Sequence, residues 1–154
     1  MRLQLTSLLA CPIDRLASEL TRPALLQEMA APMLTFVPVE PADFGGSWEP
    51  RQYRTRLFLG GRVPLGEHTL DIKQDATTDG ALFHDAGFSD LIKTWDHRVI
   101  LADFHGMTRY TDRVQIVAGL LTPVAWAFAI LFYTHRQRRL NRLVASNFTY
   151  RLRQ

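Results

Sequence analysis

From Val114 to Thr134 the chain carries no formally charged residue, and basic clusters flank this stretch at Arg109-Arg113 and His135-Arg142. An uninterrupted apolar helix of that length would cross a bilayer, and Arg136, Arg138, Arg139 and Arg142 would set its orientation. Local chemistry divides the stretch instead. Gly119-Leu120-Leu121-Thr122-Pro123 breaks it into the end of a strand and the start of a helix, with Thr122 as the expected N-cap and Pro123 as the first helical residue. The apolar girth then runs only from Pro123 to about Tyr133, roughly 16 Å and half of a bilayer's hydrocarbon core. The expectation is a helix enclosed by a sheet, with a membrane anchor through 114–134 as the lesser alternative.

The rest of the chain supports a folded protein. Hydrophobic residues make up 47% and charged residues 21%, which is globular composition, and the net charge of +3 does not single out nucleic acid as a partner. Cys11 is the only cysteine, which rules out an intramolecular disulfide and suits a reducing compartment. Met1-Arg2-Leu3-Gln4-Leu5 alternates polar and apolar residues and does not read as a signal peptide. A soluble, cytoplasmic protein is expected, with one domain spanning 1–154 and its core at about 3–146.

Arg2 to Leu9 reads as a first strand. Pro12-Ile13-Asp14 opens a helical stretch that Pro23 divides into two short helices and Ala31-Pro32 ends. Strands are expected at Met33 to Val39, Gln52 to Leu59, Glu67 to Lys73 and Leu82 to Phe88. Gly60-Gly61 and Pro64 mark a turn, and so does Asp75 to Gly80. Ile92 to Ala102 places Trp95, His97, Val99 and Leu101 on one face. Met107 to Val117 places Tyr110, Asp112, Val114 and Ile116 on one face, and Asp103-Phe104-His105-Gly106 joins these two strands. A helix from Thr122 to about Val144 would be roughly 33 Å long. Apolar residues surround its first half on all sides, as expected of an embedded helix. The order gives an α+β fold: a meandering antiparallel sheet and one long C-terminal helix.

This order, with Trp95-Asp96-His97, the strand Gly106-Met107-Thr108-Arg109-Tyr110-Thr111-Asp112-Arg113-Val114 and the helical Leu131-Phe132-Tyr133-Thr134-His135-Arg136, resembles the START and birch-pollen-allergen superfamily (SRPBCC). The likeness is to its bacterial polyketide cyclase/dehydrase-like and ligand-binding members, and it runs from about Leu3 to Ser146. It implies a helix-grip fold, a curved antiparallel sheet wrapped around the C-terminal helix with an apolar cavity between them. It also implies a hydrophobic ligand such as a lipid, sterol or polyketide. The superfamily has no universal catalytic set to carry over. Here the turn before the motif has one glycine, Gly106, and the 41–50 connection is rich in proline and glycine.

With that fold implied, strand alternation and helix face select Tyr53, Leu57, Trp95, His97, Tyr110, Asp112, Val124 and Phe128 as ligand-binding residues. If the 103–106 loop is tight, Leu101 faces Thr108, Val99 faces Tyr110 and His97 faces Asp112. An aspartate opposite a histidine could fix its tautomer for proton transfer, or could simply stabilise the sheet. His97 and Asp112 are therefore the catalytic candidates of the enzyme alternative, a cyclase or dehydratase using the same cavity.

No serine-hydrolase elbow, phosphate-binding loop, dinucleotide fingerprint or zinc motif occurs, so no cofactor and no metal are expected. His68, His84 and His105 fall on separate elements. Cys11 reads as a small buried side chain rather than a nucleophile. The Arg136-Arg142 run lacks the interleaved aromatics that stack bases, and reads as cations complementing the end of a helix dipole.

Overall fold

The computed structural model describes residues 1–73 and 81–151. Its elements are β1 (Arg2–Leu9), α1 (Ile13–Leu20), α2 (Pro23–Ala30), β2 (Leu34–Glu40), β3 (Gln52–Leu59), β4 (Val63–Lys73), β5 (Ala81–Gly87), β6 (Thr94–Phe104), β7 (Met107–Val117) and α3 (Thr122–Ala145). The strands form one antiparallel sheet in the order β1-β7-β6-β5-β4-β3-β2. This is the helix-grip α+β fold. The turn expected over Asp75 to Gly80 lies outside the described residues.

The uncharged stretch contains more than one element. Its first residues complete β7, a short 3-10 turn follows at Gly119–Leu121, and α3 begins at Thr122. Among the described residues no helix is long and apolar enough to cross a membrane. Thr122 is not the N-cap, because the 3-10 turn moves that position to Leu121. The Thr122 hydroxyl instead accepts from the Ala118 amide at 2.9 Å and donates to the Gly119 carbonyl at 2.8 Å, locking the strand-to-helix corner.

The first half of α3 is not embedded on all sides. Val124 is 69% exposed and Leu131 64%, whereas Ala129, Phe132, Tyr133, Arg136, Gln137, Leu140 and Leu143 are buried. Their spacing traces one helical stripe, so the helix lies on the sheet by a single face. Each fully buried leucine in that stripe, such as Leu140, contributes about 1.5–3 kcal/mol.

Three further positions depart from the sequence reading. Pro64 does not end a turn but pairs with Phe58 inside β4, beside an irregularity in the ladder at Leu57/Phe58, where the lost donor is tolerated. The β6–β7 loop is tighter than the expected four residues. His105 (φ 53°) and Gly106 (φ 80°) both adopt left-handed backbone, so two residues close the hairpin and Phe104 pairs with Met107. The register is thereby moved by two: Leu101 faces Tyr110, Val99 faces Asp112 and His97 faces Val114.

The basic run at the end of α3 is likewise not one solvated cluster. Arg139 donates through Nε to the Glu28 carbonyl and through Nη2 to its carboxylate, both at 3.1 Å, fastening α3 to α2. Arg136 is buried, and only Arg142 lies in the last turn.

Candidate functional site

Two apolar clusters flank the inner face of the sheet. One gathers Leu34, Phe36, Tyr53, Leu70, Ile72, Ile116, Phe132 and Tyr133; the other gathers Leu9, Leu16, Leu25, Met29, Val99, Tyr110 and Leu140. Between them lies a cavity of about 440 Å³ whose walls draw on both clusters and on α3. That volume is within the usual range of small-molecule sites, and an almost wholly apolar lining is what such sites use for affinity.

Exposure gives the cavity a direction. Leu59, Leu65, Leu91, Leu121 and Val124 line it and are each more than one-third exposed, forming an apolar mouth. Met29, Leu25, Val99 and Tyr133 line its closed end, at 1–2% exposure. Polar groups gather at the closed end: His68, Asp85, His97 and Arg136 are all buried lining residues.

Of the residues the sequence selected, Leu57, Trp95, His97, Val124 and Phe128 line this cavity, Val124 at its mouth. Tyr53, Tyr110 and Asp112 are not on its wall. Tyr53 is packed against Phe44 and Trp48, and its hydroxyl accepts from the Glu49 amide at 2.9 Å. Tyr110 and Asp112 are fully buried behind His97.

Asp112 organises that closed end. Its Oδ1 accepts from His97 Nε2 at 2.7 Å and from the Tyr110 hydroxyl at 2.9 Å, while Oδ2 accepts from Gln137 Nε2 at 2.9 Å. Gln137 also donates to the Leu5 carbonyl at 3.0 Å, so β1, β6, β7 and α3 meet at one carboxylate. Burial alone would raise the Asp112 pKa, but the hydrogen bond and charge of His97, with Arg136 and Gln137, outweigh it and hold the carboxyl below its ordinary value. Burial pulls the His97 imidazole down more strongly than Asp112 raises it. The pair is therefore a neutral imidazole donating from Nε2 to an ionised carboxylate, which leaves Nδ1 as the unprotonated acceptor.

His68 and Asp85 are buried lining residues as well. Burial depresses His68 to about 4, so its imidazole is neutral at pH 7. It occupies space that Gly87 leaves open: a Cβ at position 87 would lie 2.8 Å from His68 Nε2. Asp85 accepts from the Asp71 amide at 2.8 Å, beside the Ile72–Asp85 pair that joins β4 to β5. Burial pushes its carboxyl up to about 7, against the opposing pull of that hydrogen bond. Trp95 donates to the Tyr133 hydroxyl at 3.0 Å and stacks on its ring.

Arg136, Asp85 and His68 were not selected from the sequence. Arg136 was masked by its basic neighbours, although it lies four residues after Phe132 and four before Leu140, on the buried stripe. His68 alternates with Leu70 and Ile72 along β4, and Asp85 lies between Phe83 and Gly87 on β5; that alternation was the available signal.

Cys11 is buried beside Thr108, and burial raises its thiol pKa against the opposing pull of Thr108 and Arg15, which is not the exposed, low-pKa setting of a reactive cysteine. Among the described residues no group of three or more His, Cys, Asp or Glu is placed to hold a metal ion.

A family described as a domain of unknown function, DUF8410, matches residues 7–144. No curated protein matches in sequence. Solved structures match over nearly the whole chain. Protein CV1439 from Chromobacterium violaceum is 14% identical with a TM-score of 0.65, covering 93% of this chain and 96% of that one. Ara h 8.0201 is 12% identical with a TM-score of 0.63, covering 95% and 98%. A START superfamily protein from Mycobacterium smegmatis is 14% identical with a TM-score of 0.62, covering 94% and 97%. At these identities the likeness is one of fold.

Proposed function

We propose that this chain, which belongs to the DUF8410 family and has the START and birch-pollen-allergen fold, binds a hydrophobic small molecule between its sheet and α3. The observation that carries this reading is the cavity of about 440 Å³, apolar along its walls and open through an apolar mouth. A void of this size left empty would forfeit dispersion contacts along its whole lining, whereas an apolar ligand would restore them. The resemblance to a superfamily that binds lipids, sterols and polyketides points the same way. Leu57, Trp95, Phe128 and, at the mouth, Val124 would contact the ligand directly, and His97 would be the polar contact. Tyr53 would brace the wall from behind through Trp48, and Tyr110 and Asp112 would act through His97.

Native mass spectrometry of the purified chain tests this. A co-purified lipophilic compound, or stoichiometric uptake of the neutral dye Nile red, is the expected result. Neither a bound compound nor any gain in dye fluorescence would overturn it.

One observation favours a second reading, proton transfer within the same cavity by a cyclase- or dehydratase-type enzyme. A neutral His97 held by an ionised Asp112 is in the protonation state a general base requires. Turnover of a ligand identified by the first experiment, lost in His97→Gln while binding persists, would establish it.

A further inference from the structure

The arginines that pair with acids among the described residues keep their own side chains partly exposed, even where the acid is buried: Arg15 and Arg22 with Glu19, Arg54 with Glu40 and Glu67, Arg56 with Glu67, Arg98 with Asp96, and Arg139 with Glu28. Arg136 is different. It is 6% exposed and lines the closed end of the cavity, and its Nε is fully buried with no hydrogen-bond partner among the described residues.

What surrounds the guanidinium is aromatic. Its Cζ lies 5.7 Å from the Phe132 ring centroid and 5.0 Å from that of Tyr133. The two carboxylates that feel its charge are already engaged, Asp112 by His97, Tyr110 and Gln137, and Asp85 by the Asp71 amide. Burial works against its charge, but Tyr110, Tyr133, Asp112 and Asp85 outweigh it, and arginine keeps its proton in proteins. A permanent cation with unused donors thus faces an apolar chamber. A buried donor left unpaired costs about 1–3 kcal/mol, and more when it is charged.

We propose that Arg136 is the head-group site of this cavity and that its ligand is a hydrophobic monocarboxylic acid, with its carboxylate on the guanidinium and its apolar body directed toward Leu121 and Val124. This rests on the ligand-binding reading above and specifies its chemistry. The planar fork of donors matches the two oxygens of a carboxylate. Charge favours a monoanion over a phosphate. Among the described residues Arg136 is the one buried formal cation on the wall, His68 and His97 are neutral, and the Asp112 charge already offsets part of the field. A dianion there would have one cation to answer two charges, beside the ionised Asp112 and an Asp85 that holds its proton up to about pH 7. The hydroxyl of Tyr133, which accepts from Trp95, supplies a further donor beside the head group.

The test is a matched pair of probes on the full chain, dansyl-undecanoic acid and its methyl ester, titrated by fluorescence. The acid should bind at least about tenfold more tightly than the ester, the factor that one charge-assisted contact supplies. Arg136→Met should remove that preference, so that acid and ester bind alike, and Arg136→Lys should keep part of it. Equal binding of acid and ester by the wild type would overturn the head-group assignment and leave the cavity reading standing. Binding of neither probe, with Nile red also failing to bind, would overturn both; Nile red binding alone would overturn the head-group assignment.

A second measurement needs no variant. The labelled carboxyl carbon of decanoic acid, followed by NMR on the wild-type protein, should stay ionised to a lower pH when bound than when free. The groups facing it are Arg136, Asp85, His68, His97 and Tyr133 on the wall, with Asp112 and Tyr110 behind. A bound carboxyl that titrates at or above its free value would overturn the assignment.

Discussion

His97 Nε2 lies 2.7 Å from Asp112 Oδ1, although the two residues are diagonal neighbours and the residue directly opposite His97 is Val114. The tight His105-Gly106 turn sets that register, and the diagonal reach places the imidazole on the cavity wall with the carboxylate sealed behind it. A fully buried carboxylate with three donors tolerates no loss of charge. Asp112→Asn turns an amide toward groups that themselves donate. It should lower unfolding free energy by about 2–4 kcal/mol in denaturant titration, and it should also disturb the tautomer of His97, visible in imidazole NMR. A variant as stable as the wild type would mean that the carboxylate does not hold this end together.

Asp85 predicts a pH signature. Its folded-state pKa is raised from 3.8 to about 7 by burial. The unfolded chain releases this proton near pH 4, while the folded chain holds it to about pH 7. The stabilising effect is therefore complete below the unfolded pKa and is lost as pH rises through the folded one. Asp85→Asn keeps an oxygen to accept from the Asp71 amide and removes the titration. Relative to wild type, the variant should gain stability between pH 4 and 7, by at most about 4 kcal/mol at one pKa unit per 1.4 kcal/mol, and the difference should be flat above. Parallel stability–pH curves for the two proteins would contradict this.

The backbone order and the inward faces of the strands were legible in the sequence because period-two alternation is unambiguous where one face is buried. Tyr110, Asp112, Val114 and Ile116 on β7 form such a series, and all four are buried. The start of α3 was legible to within a residue through Thr122-Pro123. Register was not, because two left-handed residues shorten a loop without any change in composition, and only the Gly106 position hinted at it. Arg136 was hidden for a different reason. Its charge resembles that of its neighbours, and only its place on the Phe132–Leu140 stripe separates a buried cation from a solvated one. The exposure of Val124 and Leu131 was equally hidden, since an apolar residue at a cavity mouth has the same composition as one in a core.

Gly87 should resist substitution. A Cβ there would sit 2.8 Å from His68 Nε2 and 3.1 Å from the Thr69 carbonyl, and the backbone oxygen cannot rotate away. Gly87→Ala should cost about 1–3 kcal/mol, the usual range for overpacking, and should push His68 toward the cavity. Thermal unfolding checks the first effect, and a fall in Nile red affinity checks the second.

The central claim is that the space between sheet and α3 holds a hydrophobic molecule. Ala125 lines that space at a half-buried position, next in the chain to the exposed mouth residue Val124, so a larger side chain there takes up part of the cavity. The most direct measurement is Nile red titration of wild type and Ala125→Trp, with unfolding curves recorded on both. The wild type should bind one dye per chain, and the variant should remain folded and lose at least about tenfold in affinity, or roughly 1.4 kcal/mol. Undiminished dye binding by a folded Ala125→Trp would place the dye elsewhere and contradict the account.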